Sequence, residues 1–83
     1  SKNTKGENKM EKMIKKAKSQ GWEVRAFEFI DKENCKVIVR RSNAPFQDRP
    51  YSTHYYNTVR DLFYTGTYDM TYAQAKEHYD NIR

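Results

Sequence analysis

Aliphatic residues are scarce in this chain of 83 residues: Leu, Ile, Val and Phe together fill 13 positions, and Leu occurs once. Because one third of the residues are charged as well, the composition approaches that of disordered chains. A single cysteine excludes both an intrachain disulfide framework and a cysteine-based zinc site. The three glycines form no glycine-rich loop of the kind that binds phosphates.

Long apolar runs are missing too. No stretch approaches the roughly 18 residues of a membrane-spanning helix, and the Lys- and Asn-rich start lacks the apolar core of a secretory signal peptide. We therefore expect a cytoplasmic protein that does not enter a membrane. The 12 aromatic residues, however, are too many for a solvated tail. They predict a single folded domain over residues 8–83, preceded by a flexible basic segment over residues 1–7. The order of helices and strands predicted below makes this domain α+β.

Positive charge is concentrated in the N-terminal part of the chain. Residues 1–49 contain 13 basic and 7 acidic residues, whereas residues 50–83 contain 3 basic and 4 acidic ones. Segregated charge creates a local field that selects binding partners. The expected partner is a polyanion (DNA or RNA) or an acidic patch on another protein.

An amphipathic helix is predicted over residues 8–20, and Gly21 is well placed to end it. Its apolar face consists of Met10, Met13, Ile14 and Ala17. Lysines occupy the other side of the helical wheel, namely Lys9, Lys12, Lys15, Lys16 and Lys18. This lysine stripe either lies along phosphates or is a solvated face that keeps the protein soluble.

Residues 22–30 and 35–41 predict a β-hairpin, since both are rich in aromatic and β-branched residues and the turn-forming segment 31–34 separates them. Pairing Ile30 with Cys35 sorts the side chains onto two faces. One face is typical of a core and holds Trp22, Val24, Ala26, Ile30, Cys35, Val37 and Val39, with Glu28 as the exception. The other mixes aromatic rings with cations and holds Arg25, Phe27, Phe29, Lys36, Ile38 and Arg40.

Two further helices are predicted after the hairpin. Residues 42–50 form a loop with two prolines, and a short third strand near residues 50–53 is an open alternative. Aromatic and aliphatic residues at helical spacing predict a helix over residues 53–64. Thr71 and Gln74 match a capping box, which predicts a last helix from residue 72 to near the C-terminus.

The mixed face of the hairpin suggests contacts with nucleic acid, because cations bind phosphates and flat rings stack on bases. Alternatively, its rings belong to the core and its cations reach solvent at the edge. The predicted contact residues are Lys12, Lys15, Lys16, Arg25, Phe27, Phe29, Lys36, Arg40, Arg41 and Arg49.

Residues that could carry catalysis or bind a metal show no informative spacing. His54 and His78 fit no metal-ligand motif, and no paired carboxylates or Ser-His-Asp spacing stands out. Cys35 is expected to be a buried, inert thiol. We therefore expect no enzymatic activity and no cofactor. A ribonuclease, or a tyrosine nucleophile, would depend on His54 as its one candidate base.

The segment Met13–Val24, followed by a hairpin, resembles the opening of small toxin ribonucleases with a double-stranded-RNA-binding-like fold. Those toxins place a histidine just after the first strand. Residues 25–49 contain none here, so the resemblance does not extend to catalysis. The order of hairpin and helix also looks like the small arm-binding domains of phage integrases. Both resemblances concern architecture, and architecture alone does not fix function.

Two classes of function follow from these features. The leading expectation is a small non-enzymatic domain that binds nucleic acid through its basic N-terminal half and hairpin. The alternative is a phage or mobile-element protein that inhibits or adapts a host nucleic-acid-processing enzyme by binding to it, with tyrosines supplying the interface. Monomer and homodimer are both open, because small domains can gain buried area by association.

Overall fold

The computed structural model describes residues 9–82, and the segment 1–7 that was predicted to be flexible lies outside them. The elements are α1 (Lys9–Ser19), β1 (Trp22–Phe29), β2 (Asn34–Arg41), β3 (Tyr51–Asn57), β4 (Leu62–Met70) and α2 (Tyr72–Asp80). The four strands form one antiparallel sheet in which each strand pairs with the next along the chain. The predicted α+β class is confirmed, with four strands and two helices over the described residues.

Helix α1 ends one residue before its predicted limit, and its predicted first residue, 8, lies outside the described residues. Of the predicted apolar face, Met13 and Ala17 are fully buried, whereas Met10 and Ile14 at its border remain exposed. Gly21 follows the helix with φ of +79°, a conformation that glycine adopts without steric cost. This residue turns the chain directly from α1 into β1.

Strand β2 lies at the centre of the molecule, and all its residues from 35 to 39 are buried. Cys35, Val37 and Val39 form a core with Met13 of α1 on one face of the sheet. Ile38 points to the other face and packs with residues of α2 and the end of β4: Met70, Ala75 and Tyr79. The protein therefore has three layers, with the sheet between the two helices.

The predicted helix over residues 53–64 is wrong, because these residues form β3, a tight turn and the start of β4. Tyr, which fills three of the seven positions of β3, favours strands, and β2 needs a pairing partner on its second side. The turn begins at Asn57, whose Oδ1 accepts hydrogen bonds from the backbone N–H groups of Val59 and Arg60, at 3.0 and 2.8 Å. One helix, rather than two, therefore follows the hairpin in the described chain.

The predicted hairpin is present, but its register is wrong. A bulge between Val24 and Ala26 leaves Arg25 without a paired partner, and beyond it Phe27 pairs with Val37 and Phe29 with Cys35. A one-residue shift moves side chains to the opposite face of a sheet. The two rings therefore share the α1 face with the valines of β2, and the predicted face of mixed rings and cations does not form.

Helix α2 begins at the predicted capping box. Thr71 Oγ1 accepts from the N–H of Gln74 at 3.2 Å, and Gln74 Oε1 accepts from the N–H of Thr71 at 2.9 Å. Ala75 and Tyr79 anchor the helix on the sheet. Neither α1 nor α2 has the length and hydrophobicity needed to cross a membrane.

Candidate nucleic-acid interface

Two segments that are distant in sequence meet at one end of the molecule. The N–H and the hydroxyl of Ser42 both donate to the carbonyl oxygen of Gly21, at 3.1 and 2.9 Å. Segments 15–25 and 40–50, joined in this way, contain seven basic and two acidic residues, and Asp69 at the end of β4 lies beside them. We refer to this region as the basic end. Its cations are Lys15, Lys16, Lys18, Arg25, Arg40, Arg41 and Arg49.

The opposite end of the molecule is balanced in charge. Segments 9–12, 30–34 and 57–62 meet there and contain four basic and four acidic residues. The Lys12 ammonium donates to the carbonyl oxygen of Thr58 at 3.3 Å, and the Thr58 N–H donates to the carbonyl oxygen of Glu33 at 2.8 Å. We refer to this region as the neutral end. Lys12, a predicted contact residue, lies there and holds the β3–β4 turn.

Arg41 belongs to the basic end but is engaged within the protein. Its Nη2 lies 3.0 Å from Asp69 Oδ1, and its guanidinium carbon lies 4.6 Å from the ring centre of Tyr68. The Arg41 side chain is only 15% exposed. Asp69 therefore compensates the positive charge of Arg41. This contact gives Arg41 a structural role.

Lys36 is placed away from the basic end and interacts with the last turn of α2. Its Nζ donates to the carbonyl oxygens of Tyr79 and Ile82 at 3.0 and 3.4 Å, and Glu28 Oε1 lies 3.7 Å away. The carbonyl groups at a helix C-terminus carry partial negative charge. Lys36 is therefore a cation that caps α2 from the neighbouring strand.

The two predicted stacking rings lie in the half of β1 that leads to the neutral end. Phe29 is at the neutral-end terminus of β1, packs against the α1-side core and has Lys9 Nζ 5.9 Å from its ring centre. Phe27 contacts it edge to face at 6.5 Å. The structure thus separates these rings from Arg40 and Arg49.

The other predicted cations lie in the two segments that form the basic end. Arg25 lies 3.5 Å from Glu23, and both side chains are exposed, so this ion pair contributes little to stability. Arg40 lies opposite Glu23 in the pairing of β1 with β2. Lys16 and Lys18 occupy the last turn of α1, and neither forms an ion pair with any residue from 9 to 82.

The sequence interpretation missed Phe46. This ring is 46% exposed, and the Arg49 guanidinium carbon lies 4.7 Å from its centre. The surrounding loop is fixed by buried Ala44 and Pro50, and the Arg49 N–H donates to the Phe46 carbonyl oxygen at 3.1 Å. The signal in the sequence was an aromatic residue beside an arginine in a proline-bounded loop, rather than the rings of the hairpin.

His54, the one candidate base, is a core residue that is 3% exposed. Trp22 stacks on it at 4.5 Å, and its Nε2 lies 2.8 Å from the hydroxyl of buried Ser52. Burial lowers the pKa of His54 to about 4, so the ring is neutral near pH 7. An imidazole enclosed in this way presents neither nitrogen to a substrate at the surface.

The remaining reactive groups fit structural roles. Cys35 is buried as expected, and this burial raises the pKa of its thiol to about 11, which disfavours the reactive thiolate. Among residues 9–82, no cluster of three or more His, Cys, Asp or Glu side chains is arranged to hold a metal ion. The distinctive feature of the protein surface is therefore the positive charge of the basic end.

No protein-family model, curated protein or solved structure matches the chain. Function is therefore inferred from the geometry of the molecule alone.

Proposed function

We propose that this protein binds nucleic acid through its basic end and performs no chemistry on it. The observation that carries the proposal is the combination of Lys16, Lys18 and Arg49, which lack carboxylate partners among residues 9–82, with the exposed ring of Phe46. The lysines would bind phosphates as point charges, independently of sequence. The ring would stack on a base.

Single-stranded nucleic acid is the ligand that this combination favours. A ring can stack on a base only when that base is not already stacked within a duplex. Arg49, which is adjacent to Phe46, would bind the phosphate next to the stacked base. Arg40 and Lys15 would extend the contact along the strand, while Arg41 would hold the sheet beneath it.

Paired charge variants test the phosphate contacts. In Lys18→Ala/Arg49→Ala, two cations of the basic end are lost. The control Lys32→Ala/Lys76→Ala loses the same charge from the neutral end and from α2. Affinity for single-stranded DNA and RNA is measured by fluorescence anisotropy across a salt series. The plot of log K against log salt has a negative slope, and each phosphate contact contributes about 0.7 to its magnitude. We expect this magnitude to be smaller by about 1.4 in the first variant and unchanged in the control.

The same titrations test the stacking contact. Phe46→Ala is expected to weaken single-strand binding by roughly 10-fold, because stacking on an aromatic ring contributes about 1–3 kcal/mol per base. Duplex binding should change much less. Equal losses in the two charge variants would show that only net charge matters and would contradict a site at the basic end. Binding that disappears altogether at about 200 mM salt would direct attention to an acidic protein partner.

A further inference from the structure

An exposed apolar patch lies at the neutral end. Val59, in the β3–β4 turn, is 70% exposed, and Leu62 and Tyr64 beside it are partly exposed. These three residues border a groove of about 370 Å³, together with Glu33, Asn34, Asn57 and Arg60. Single exposed apolar side chains are common on protein surfaces, but a group around a concave surface is typical of an interaction site.

The patch is held rigidly by hydrogen bonds beneath it. Asn57 Oδ1 accepts from the N–H groups of Val59 and Arg60, and the buried Thr58 is bonded to the Glu33 carbonyl oxygen. The Tyr64 hydroxyl donates to Asn34 Oδ1 at 2.8 Å. A surface fixed in this way loses little conformational entropy when it binds, so even a small patch can support association.

We infer that the partner seated on this patch is a second copy of the same chain. The groove lining contains one carboxylate, Glu33, and one guanidinium, Arg60, and neither forms an ion pair within the described residues. In a two-fold interface each patch meets an identical one, so Glu33 of one copy can face Arg60 of the other, twice. The valine, leucine and tyrosine side chains then lie between these two ion pairs.

The distribution of charge favours the same arrangement. Segments 9–12, 30–34 and 57–62 contain equal numbers of acidic and basic residues, so two copies can approach through them without net repulsion. The two basic ends then point away from each other. If the proposed function is correct, the dimer is a bivalent nucleic-acid binder whose second contact is favoured by proximity. The association itself does not depend on that function.

Sedimentation equilibrium tests the association with the untagged protein at concentrations from about 10 µM to 1 mM, a range suited to a small interface. We expect a monomer–dimer equilibrium. Val59→Asp should raise its dissociation constant by at least about 10-fold, since an apolar side chain would no longer be buried. Phe46→Asp, at the basic end, is the matched control and should leave the dissociation constant unchanged.

A charge exchange tests the pairing. Glu33→Arg and Arg60→Glu should each weaken the dimer, because like charges then face each other across the interface, and the double variant should restore it. A protein that stays monomeric throughout the range, or a dimer unaffected by Val59→Asp, overturns the inference. The nucleic-acid titrations of Lys18→Ala/Arg49→Ala are read separately, so a failure of the proposed function would leave the sedimentation result standing.

Discussion

The imidazole of His54 fits into the sheet only because its neighbour on β4 has no side chain. A Cβ atom at Gly66 would lie 2.8 Å from Cε1 and 2.9 Å from Nδ1 of that ring. Trp22 stacks against the imidazole, and Tyr68 meets it edge to face at 5.1 Å. A residue that the sequence offered as a candidate base is therefore enclosed by aromatic rings as part of the core.

This enclosure makes stability depend on pH. Burial lowers the pKa of His54 from 6.5 to about 4. Above pH 6.5 the residue is neutral in both states and contributes no pH dependence. Between pH 6.5 and 4 the unfolded chain binds a proton that the folded protein does not, so the free energy of unfolding decreases as the pH falls. We expect a loss on the order of 3 kcal/mol across this interval, measured by urea denaturation.

The variant His54→Gln isolates the contribution of the imidazole. Its absolute stability is expected to be lower, but its free energy of unfolding should vary less between pH 6.5 and 4. Both proteins share every other titrating group, so the difference between the two pH profiles belongs to residue 54. Parallel profiles would assign the pH dependence to other groups.

At the scale of elements, local sequence signals were sufficient to predict the two helices of the structure but not the strands β3 and β4. Helix α1 and the capping box at Thr71 depend on neighbouring residues alone, and both were predictable. Tyr55, Tyr56 and Phe63 fit helical spacing, yet they lie in strands because β3 pairs with β2 and β4 pairs with β3. That pairing is non-local, so the sequence pattern could not reveal it.

The candidate site was predictable to a similar extent. The concentration of basic residues in the N-terminal part of the chain is visible in the sequence itself. Cations of the basic end, such as Arg40 and Arg49, could therefore be predicted. The bulge at Arg25 has no local signature, yet it moves Phe27 and Phe29 onto the face that α1 covers. The exposed ring of Phe46 became evident only once the structure showed the loop over residues 42–50.

The contact between β2 and α2 through Lys36 leads to a prediction at this scale. Lys36→Met would keep most of the apolar stem but remove the hydrogen bonds to the carbonyl oxygens of Tyr79 and Ile82. We expect a loss of about 1–3 kcal/mol in the free energy of unfolding, since the charge-assisted hydrogen bonds from the ammonium to the end of α2 would be lost. Chemical denaturation measures it, with Lys32→Met in the exposed β1–β2 loop as the control. A Lys36→Met protein as stable as the control would show that this ammonium does not stabilise α2.

At the scale of the whole molecule, burial changes across the three layers, whereas charge changes along the strands. Burial is greatest in β2, which α1 and α2 cover from opposite sides. Charge instead changes along the strands, from the basic end at Gly21 and Ser42 to the neutral end at the β3–β4 turn. A substitution at either end can therefore alter a surface without disturbing the central strand. This separation allows the two proposed contacts, with nucleic acid and with a second copy, to be tested independently.

Cys35 provides a probe for the stability of that central strand. Its Sγ is fully buried, 3.8 Å from Met13 Sδ, and the raised pKa of its thiol keeps it protonated. A thiol reagent can therefore reach it only when the sheet opens. When closing is fast, the labelling rate follows the population of the open state, so each loss of about 1.4 kcal/mol should accelerate labelling about tenfold. We expect the Lys36→Met protein to be labelled faster, by the factor calculated from its measured loss in the free energy of unfolding. The Lys32→Met protein should be labelled at the wild-type rate. Labelling of Lys36→Met at the wild-type rate, despite lower stability, would show that β2 is exposed by a local opening that leaves α2 in place.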